Sequence, residues 1–194
     1  MSARTMVVFP GQGSQYPGML EAVPETDALE RLLDAAEALT DLELRTIAAL
    51  SDETELSDTR VAQPLLYLAD WAWGTTLLDS GLVPDGVAGH SLGELAALAI
   101  AGVYSVEAGL ELVVERSRLM ATHAAGHTGA MAAVIGLPAG RVLECIDSFS
   151  SVWLANDNAP GQVVISGLAH ELAAATDALK DAGARRVIPL KVSG

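Results

Sequence analysis

The run Val87-Ala88-Gly89-His90-Ser91-Leu92-Gly93-Glu94, continued by Leu95 to Ala101, decides the fold. Val87 and Ala88 read as a brief strand, and Glu94 to Ala101 is strongly helix-forming. A G-x-S-x-G pattern between strand and helix places its serine on a tight, strained elbow, with glycine on either side because bulkier residues would clash across it. The Ser91 hydroxyl is thereby lifted to the carboxyl end of the sheet. The amino end of the following helix points at it, where free N–H groups and the dipole favour negative charge. Ser91 is therefore a candidate nucleophile, and the backbone N–H of Leu92 a candidate oxyanion donor. The competing reading is a glycine-rich turn whose serine merely caps the helix.

Upstream, Thr5 to Phe9 is a β-branched and aromatic run closed by Pro10 and Gly11, as expected of a buried strand. The loop Gly11-Gln12-Gly13-Ser14-Gln15 is no dinucleotide fingerprint, since Gly18 follows Tyr16 and Pro17 instead of opening a helix, and no phosphate-loop lysine is present. At the end of a neighbouring strand it can bring a second backbone N–H, that of Gln12, near the serine. Residues 21–60 carry twelve acids against three arginines. Ala28, Leu29, Leu32, Leu33, Ala36 and Leu39 recur there at helical spacing, so the charges belong to solvated faces of amphipathic helices. Ser57 or Asp58 can cap the next helix, with Pro64 near its start ahead of the apolar run Leu65 to Trp73.

After a turn at Gly81 to Asp85 and the elbow helix, a second helix spans Val106 to Ala121 and carries Arg116. Arg116 has a bland reading as a solvated side chain, like Arg118 beside it. A chain poor in bases that must hold a carboxylate would nevertheless use a guanidinium, whose planar fork matches two oxygens.

Composition shifts at Gly126 to Gly129 from long helices to short alternating elements. Ala130 to Leu137 reads as strand, Ala139 to Phe149 as helix, Val152 to Asn156 and Gln162 to Gly167 as strands, His170 to Ala182 as helix and Arg186 to Ser193 as strand. The order β-α-β-β-α-β is the split pattern of a ferredoxin-like module. We expect an α/β protein with residues 1–125 as the N-terminal part of a large domain and residues 126–194 as a small one. Two strands do not make a doubly covered sheet of normal width, so residues 1–125 need more chain to finish theirs.

The 194 residues are 51% hydrophobic and 19% charged, which excludes general disorder. Eleven basic against 25 acidic residues give a formal charge of −14, which repels a polyphosphate backbone and argues against nucleic acid. The longest uncharged apolar stretch, Leu95 to Val106, falls short of the ~20 residues needed to span a bilayer. The N-terminus lacks an export signal, and the single cysteine, Cys145, suits a reducing compartment, so a cytoplasmic location is expected. No metal site is expected: His123 and His127 stand four apart without a third ligand. His90 diverges from Ser91 on the elbow and His170 starts a surface helix, so no histidine present suits the role of base.

Together these residues resemble the malonyl-CoA:acyl carrier protein transacylases and related acyltransferase domains of polyketide and fatty acid synthases. The likeness rests on Gly11 to Gln15, Gln63-Pro64-Leu65-Leu66, Gly89 to Glu94, Arg116 to Met120, Gly129 to Leu137 and Asn156 to Gly167, in that order. It implies an α/β-hydrolase-like large domain with an inserted ferredoxin-like small domain, and ping-pong acyl transfer without a cofactor. Ser91 would attack the thioester of malonyl-CoA, with the Gln12 and Leu92 N–H groups holding the oxyanion and Arg116 pairing with the free carboxylate. The acceptor would be the phosphopantetheine thiol of an acyl carrier protein.

The family's base histidine comes just after the small domain's last strand, in a stretch reading roughly V-S-G-A-F-H-S, whereas this sequence stops at Val192-Ser193-Gly194. The resemblance thus implies a fragment without its base. Pro17 to Leu20 with Val23-Pro24, and Trp153 to Pro160, resemble the malonyl transferase subunit of malonate decarboxylase instead, while Glu94 is similar to the fatty acid enzymes. A serine hydrolase or thioesterase on the same elbow, and a non-catalytic module that binds a carrier protein, are the rival functions. Acyl specificity and oligomeric state are left open.

Overall fold

The computed structural model describes residues 4–50, 52–125 and 129–190. It is a mixed α/β structure whose chain packs as two compact units, Met1–Ala121 and Thr122–Gly194. Of the expected junction at Gly126 to Gly129, residues 126–128 lie outside the described residues.

In the first unit, β1 (Met6–Phe9) pairs in parallel with β2 (Gly86–Gly89), Phe9 standing opposite Gly89 at the carboxyl ends. The acidic segment folds as α1 (Asp27–Thr40), α2 (Leu44–Leu50) and α3 (Glu53–Leu56), preceded by a short 3-10 turn at Met19–Ala22. Leu29, Leu32, Leu33 and Ala36 are buried as the periodicity requires. Leu39 departs from it and is 48% exposed. It lies in the final turn of α1, where the chain swings away through left-handed Asp41 (φ 55°) and the apolar face has nothing left to cover. Arg45 ties α1 to α2 by bonding Glu30, Asp34 and Glu37 together.

The central element is α4 (Thr59–Asp79), capped by the Asp58 carboxylate, which accepts the Arg60 N–H at 2.9 Å. Pro64 falls at its sixth position and α4 continues through it. Leu65, Tyr67 and Leu68 of α4 are buried with Leu92 of α5 (Leu92–Ile100) and with Leu110 and Val113 of α6 (Val106–Ala125).

The second unit has a four-stranded sheet in the order β4-β5-β3-β6, formed by β3 (Gly129–Ile135), β4 (Val152–Ala159), β5 (Gln162–Leu168) and β6 (Arg186–Leu190), every pairing antiparallel. With α7 (Ala139–Ile146) between β3 and β4 and α8 (Ala169–Asp181) between β5 and β6, the element order is β-α-β-β-α-β. The alternating residues Ala132, Val134, Val163 and Ile165 join Val142, Ala175 and Leu179 of the helices in its core. Helix α7 stops at Ile146, short of the expected Phe149. β4 runs to Ala159, past the expected Asn156, and its pairing with β5 is interrupted by two register shifts. β6 is described to Leu190, and its expected continuation to Ser193 lies outside the described residues. Among the described residues no helix is long and apolar enough to cross a membrane.

Candidate active site

β2 ends at Gly89 and α5 begins at Leu92, so His90 and Ser91 make the whole turn between them. Such a turn forces Ser91 to φ 53° and ψ −103°, a positive φ that an L residue holds only when its surroundings impose it. They do so through close backbone packing. A Cβ on Gly89 would overlap the backbone of Gly93, and one on Gly93 would overlap the carbonyl oxygens of Phe9 and Pro10. The glycines on both sides of the elbow are thus steric necessities. Ser91 itself is exposed, and its hydroxyl caps no helix N–H, which removes the capping alternative.

Within the turn, the Gly93 N–H donates to the His90 carbonyl at 3.0 Å and the Glu94 N–H to that of Ser91 at 3.2 Å. The Leu92 N–H is the first of the helix and has no acceptor within it. Leu92 is otherwise wholly buried and fixed in the core. The loop after β1 lies against the same turn: the His90 N–H donates to Phe9 O at 3.0 Å, and a side chain on Gly11 would collide with the His90 carbonyl. Gln12, the other expected oxyanion donor, is therefore on the loop packed next to the elbow. Its side chain is anchored, the carboxamide nitrogen donating to Ser57 O at 3.4 Å.

α6 brings Arg116 to the serine. Its Nη2 donates to Ser91 Oγ at 2.9 Å, and its Nη1 donates to Gln63 Oε1 on α4. Burial lowers the pKa of this guanidinium. Among the described residues no carboxylate pairs with it, although the chain carries 25 of them. Arg118 differs: it is exposed and bridged to Glu115 at 2.7 Å. A half-buried cation with no counter-ion among the described residues, set beside a strained serine, can receive an anion there.

Two polar residues of the site escaped the sequence reading. Gln63, quoted only as part of a motif, and Thr59 are both 0% exposed. Gln63 Nε2 donates to Thr59 Oγ1 at 2.5 Å and approaches Met120 Sδ at 3.3 Å. The signal for them is a stripe of polar groups on an otherwise apolar helix: Thr59, Gln63, Tyr67 and Asp70 follow one another at helical spacing on α4. Of the histidines, His90 and His170 are exposed, His123 is exposed on α6, and His127 lies outside the described residues.

Residues 6–193 match the acyl transferase domain family, and the chain belongs to it. It is 40% identical to a malonyl CoA-acyl carrier protein transacylase of Bacillus subtilis over 192 residues, which are 96% of this chain and 61% of the relative. A protein of the same name from Synechocystis is 42% identical, with 98% and 63% covered. Among solved structures, a malonyl-transacylase in complex with its type II PKS acyl-carrier protein superposes with a TM-score of 0.87 at 36% identity, covering 98% of this chain and 63% of that one. An acyl carrier protein S-malonyltransferase from Vibrio cholerae gives 0.86 at 35% identity, covering 98% and 64%. The chain thus spans less than two thirds of the length of these relatives.

Proposed function

We propose that this chain is the larger part of a malonyl transferase, which moves a malonyl group from malonyl-CoA through an ester on Ser91 to the phosphopantetheine thiol of an acyl carrier protein. The observation that carries the reading is the 2.9 Å bond to the Ser91 hydroxyl from an Arg116 guanidinium that no carboxylate neutralises among the described residues. A substrate with a thioester at one end and a carboxylate at the other fits between a nucleophile and a cation so placed. The family membership and the names of the relatives support the same substrate and acceptor.

In this reading Ser91 Oγ bonds to the thioester carbonyl carbon while its proton passes to a base. The oxyanion is met by the N–H groups of Leu92 and Gln12, each such donor worth roughly 10²–10³ in rate. The intermediate collapses as the C–S bond breaks, and the departing thiolate takes the proton back. The carrier thiol repeats the sequence in reverse on the acyl-serine. Arg116 holds the distal carboxylate throughout and so selects a charged acyl group. No resident cofactor is needed, and a cytosolic setting suits the lone thiol of Cys145.

The base belongs, in this proposal, to chain that continues past Gly194, as does the rest of a hydrolase-like sheet beside β1 and β2. Residues 1–125 are then the N-terminal part of the large domain and 126–194 a ferredoxin-like small domain.

Mass spectrometry of the full-length protein after incubation with malonyl-CoA tests the assignment. A malonyl adduct on Ser91, abolished by Ser91→Ala, is expected, and its absence from the wild type would remove the proposal. Arg116→Ala is expected to cut acylation by malonyl-CoA by roughly a hundredfold or more while sparing acetyl-CoA. A hydrolase of neutral esters would not respond to that change.

A further inference from the structure

The polar contacts behind the site form one directed chain. Arg116 Nη1 can only donate, which fixes Oε1 of the Gln63 carboxamide toward it and turns Nε2 the other way, onto Thr59 Oγ1 at 2.5 Å. Having accepted there, the Thr59 hydroxyl donates its own proton to Gln12 Oε1 at 3.2 Å. The Gln12 carboxamide is thereby oriented as well, its nitrogen donating to Ser57 O at 3.4 Å. Neighbouring Gln15 is tied into the same corner, bonding Ser57 Oγ at 3.3 Å and receiving the Gly13 N–H at 2.7 Å. No member can reverse without placing two donors or two acceptors face to face.

Thr59 is the joint of this chain. It is wholly buried at the first turn of α4, and its one hydroxyl serves the loop after β1 on one side and, through Gln63, Arg116 on the other. We propose that Thr59 is a positioning residue that holds the oxyanion loop and the carboxylate-binding arginine in a single geometry, so that both ends of the acyl group are registered against Ser91 by one buried hydroxyl. The proposal rests on the roles of Gln12 and Arg116 in the malonyl transferase reading. Thr59 touches no reacting atom and acts only through those two.

Thr59→Val tests it, because it keeps the shape and volume of the side chain and removes both hydrogen bonds. Thr59→Ser restores the hydroxyl. In the full-length enzyme, Thr59→Val is expected to lower kcat/KM roughly tenfold or more for malonyl-CoA, as misplaced positioning groups do. The fall should be smaller for acetyl-CoA, which needs Gln12 but not Arg116, so the preference for malonyl-CoA narrows. Thr59→Ser should return both values close to wild type.

A second readout is independent of turnover. In ¹⁵N spectra the side-chain amide signals of Gln12 and Gln63 should shift together in Thr59→Val and return in Thr59→Ser. Unchanged preference with unmoved amide signals would overturn the proposal, and so would a Thr59→Ser variant as impaired as Thr59→Val, which would mark a packing role. A wild type that is never malonylated, together with linked amide shifts in Thr59→Val, would instead sink the transferase reading and leave the Thr59 coupling standing.

Discussion

Ser91 sits at φ 53° and ψ −103°, a conformation that costs a residue with a side chain ~1–3 kcal/mol, and the buried backbone contacts of the elbow are what offset it. Asp70 holds another costly state in the same unit. It is buried in α4, and among the described residues its Oδ2 has no hydrogen-bond partner. Burial raises its pKa to about 7, so the folded chain keeps a proton that the unfolded chain releases near pH 4. The sign follows from linkage. Below pH 4 the carboxyl is neutral in both states and costs nothing extra. Between pH 4 and 7 the unfolded state alone ionises, so stability falls by on the order of a few kcal/mol, and above pH 7 the loss is complete. Asp70→Asn, which cannot ionise, is expected to be more stable than wild type by a margin that grows across this window and then levels off. Urea unfolding from pH 4 to 8 measures it, and a margin independent of pH would contradict the account.

At the scale of elements, the site is a matter of how closely β1, β2 and α5 can approach. Ala in place of Gly93 would ordinarily favour a helix by ~1 kcal/mol. Here the added Cβ meets the carbonyl oxygens of Phe9 and Pro10, backbone atoms that cannot rotate aside, and overpacking of this kind costs about 1–3 kcal/mol. The clash therefore decides the sign: Gly93→Ala is expected to lower the melting temperature and to slow Ser91 acylation as the elbow opens. A variant as stable and as fast as wild type would show that the close approach is dispensable. Sequence spacing was sufficient to find this element, because strand, glycine frame and helix are all local. It was weaker for Arg116, whose partner lies on a different element, and only the family resemblance raised it above its neighbour Arg118. Thr59 and Gln63 are not legible in the sequence, because their hydrogen bonds arise from α6 and the loop after β1 folding against α4. Asp70 was passed over inside the run Leu65 to Trp73, where the apolar pattern masks a single carboxylate. The end of β4 was missed for a related reason, since its pairing with β5 past Asn156 is irregular and leaves no alternation to read.

For the whole molecule, β1 and β2 form a sheet of two strands among the described residues, whereas parallel strands normally lie inside wider sheets covered on both faces. Val8 of β1 is 71% exposed and Met6 55% exposed, although both belong to the apolar run that marks a buried strand. The proposed continuation of the chain would cover these side chains and bring the base to Ser91, which couples stability and activity in one experiment. The 194-residue chain, purified alone, is expected to melt below the full-length protein and to bind an apolar dye such as ANS, because the β1 face stays open. Its malonyl transfer should fall by several orders of magnitude, as when the base of a serine catalytic unit is removed. Arg116 and its partners lie within the 194 residues, so malonate should still protect them, detectable as slowed exchange of the Gln63 side-chain amide. Transfer near the full-length rate would show that a base acts from within residues 1–194. An equal melting temperature without dye binding would show that the exposed β1 face needs no cover.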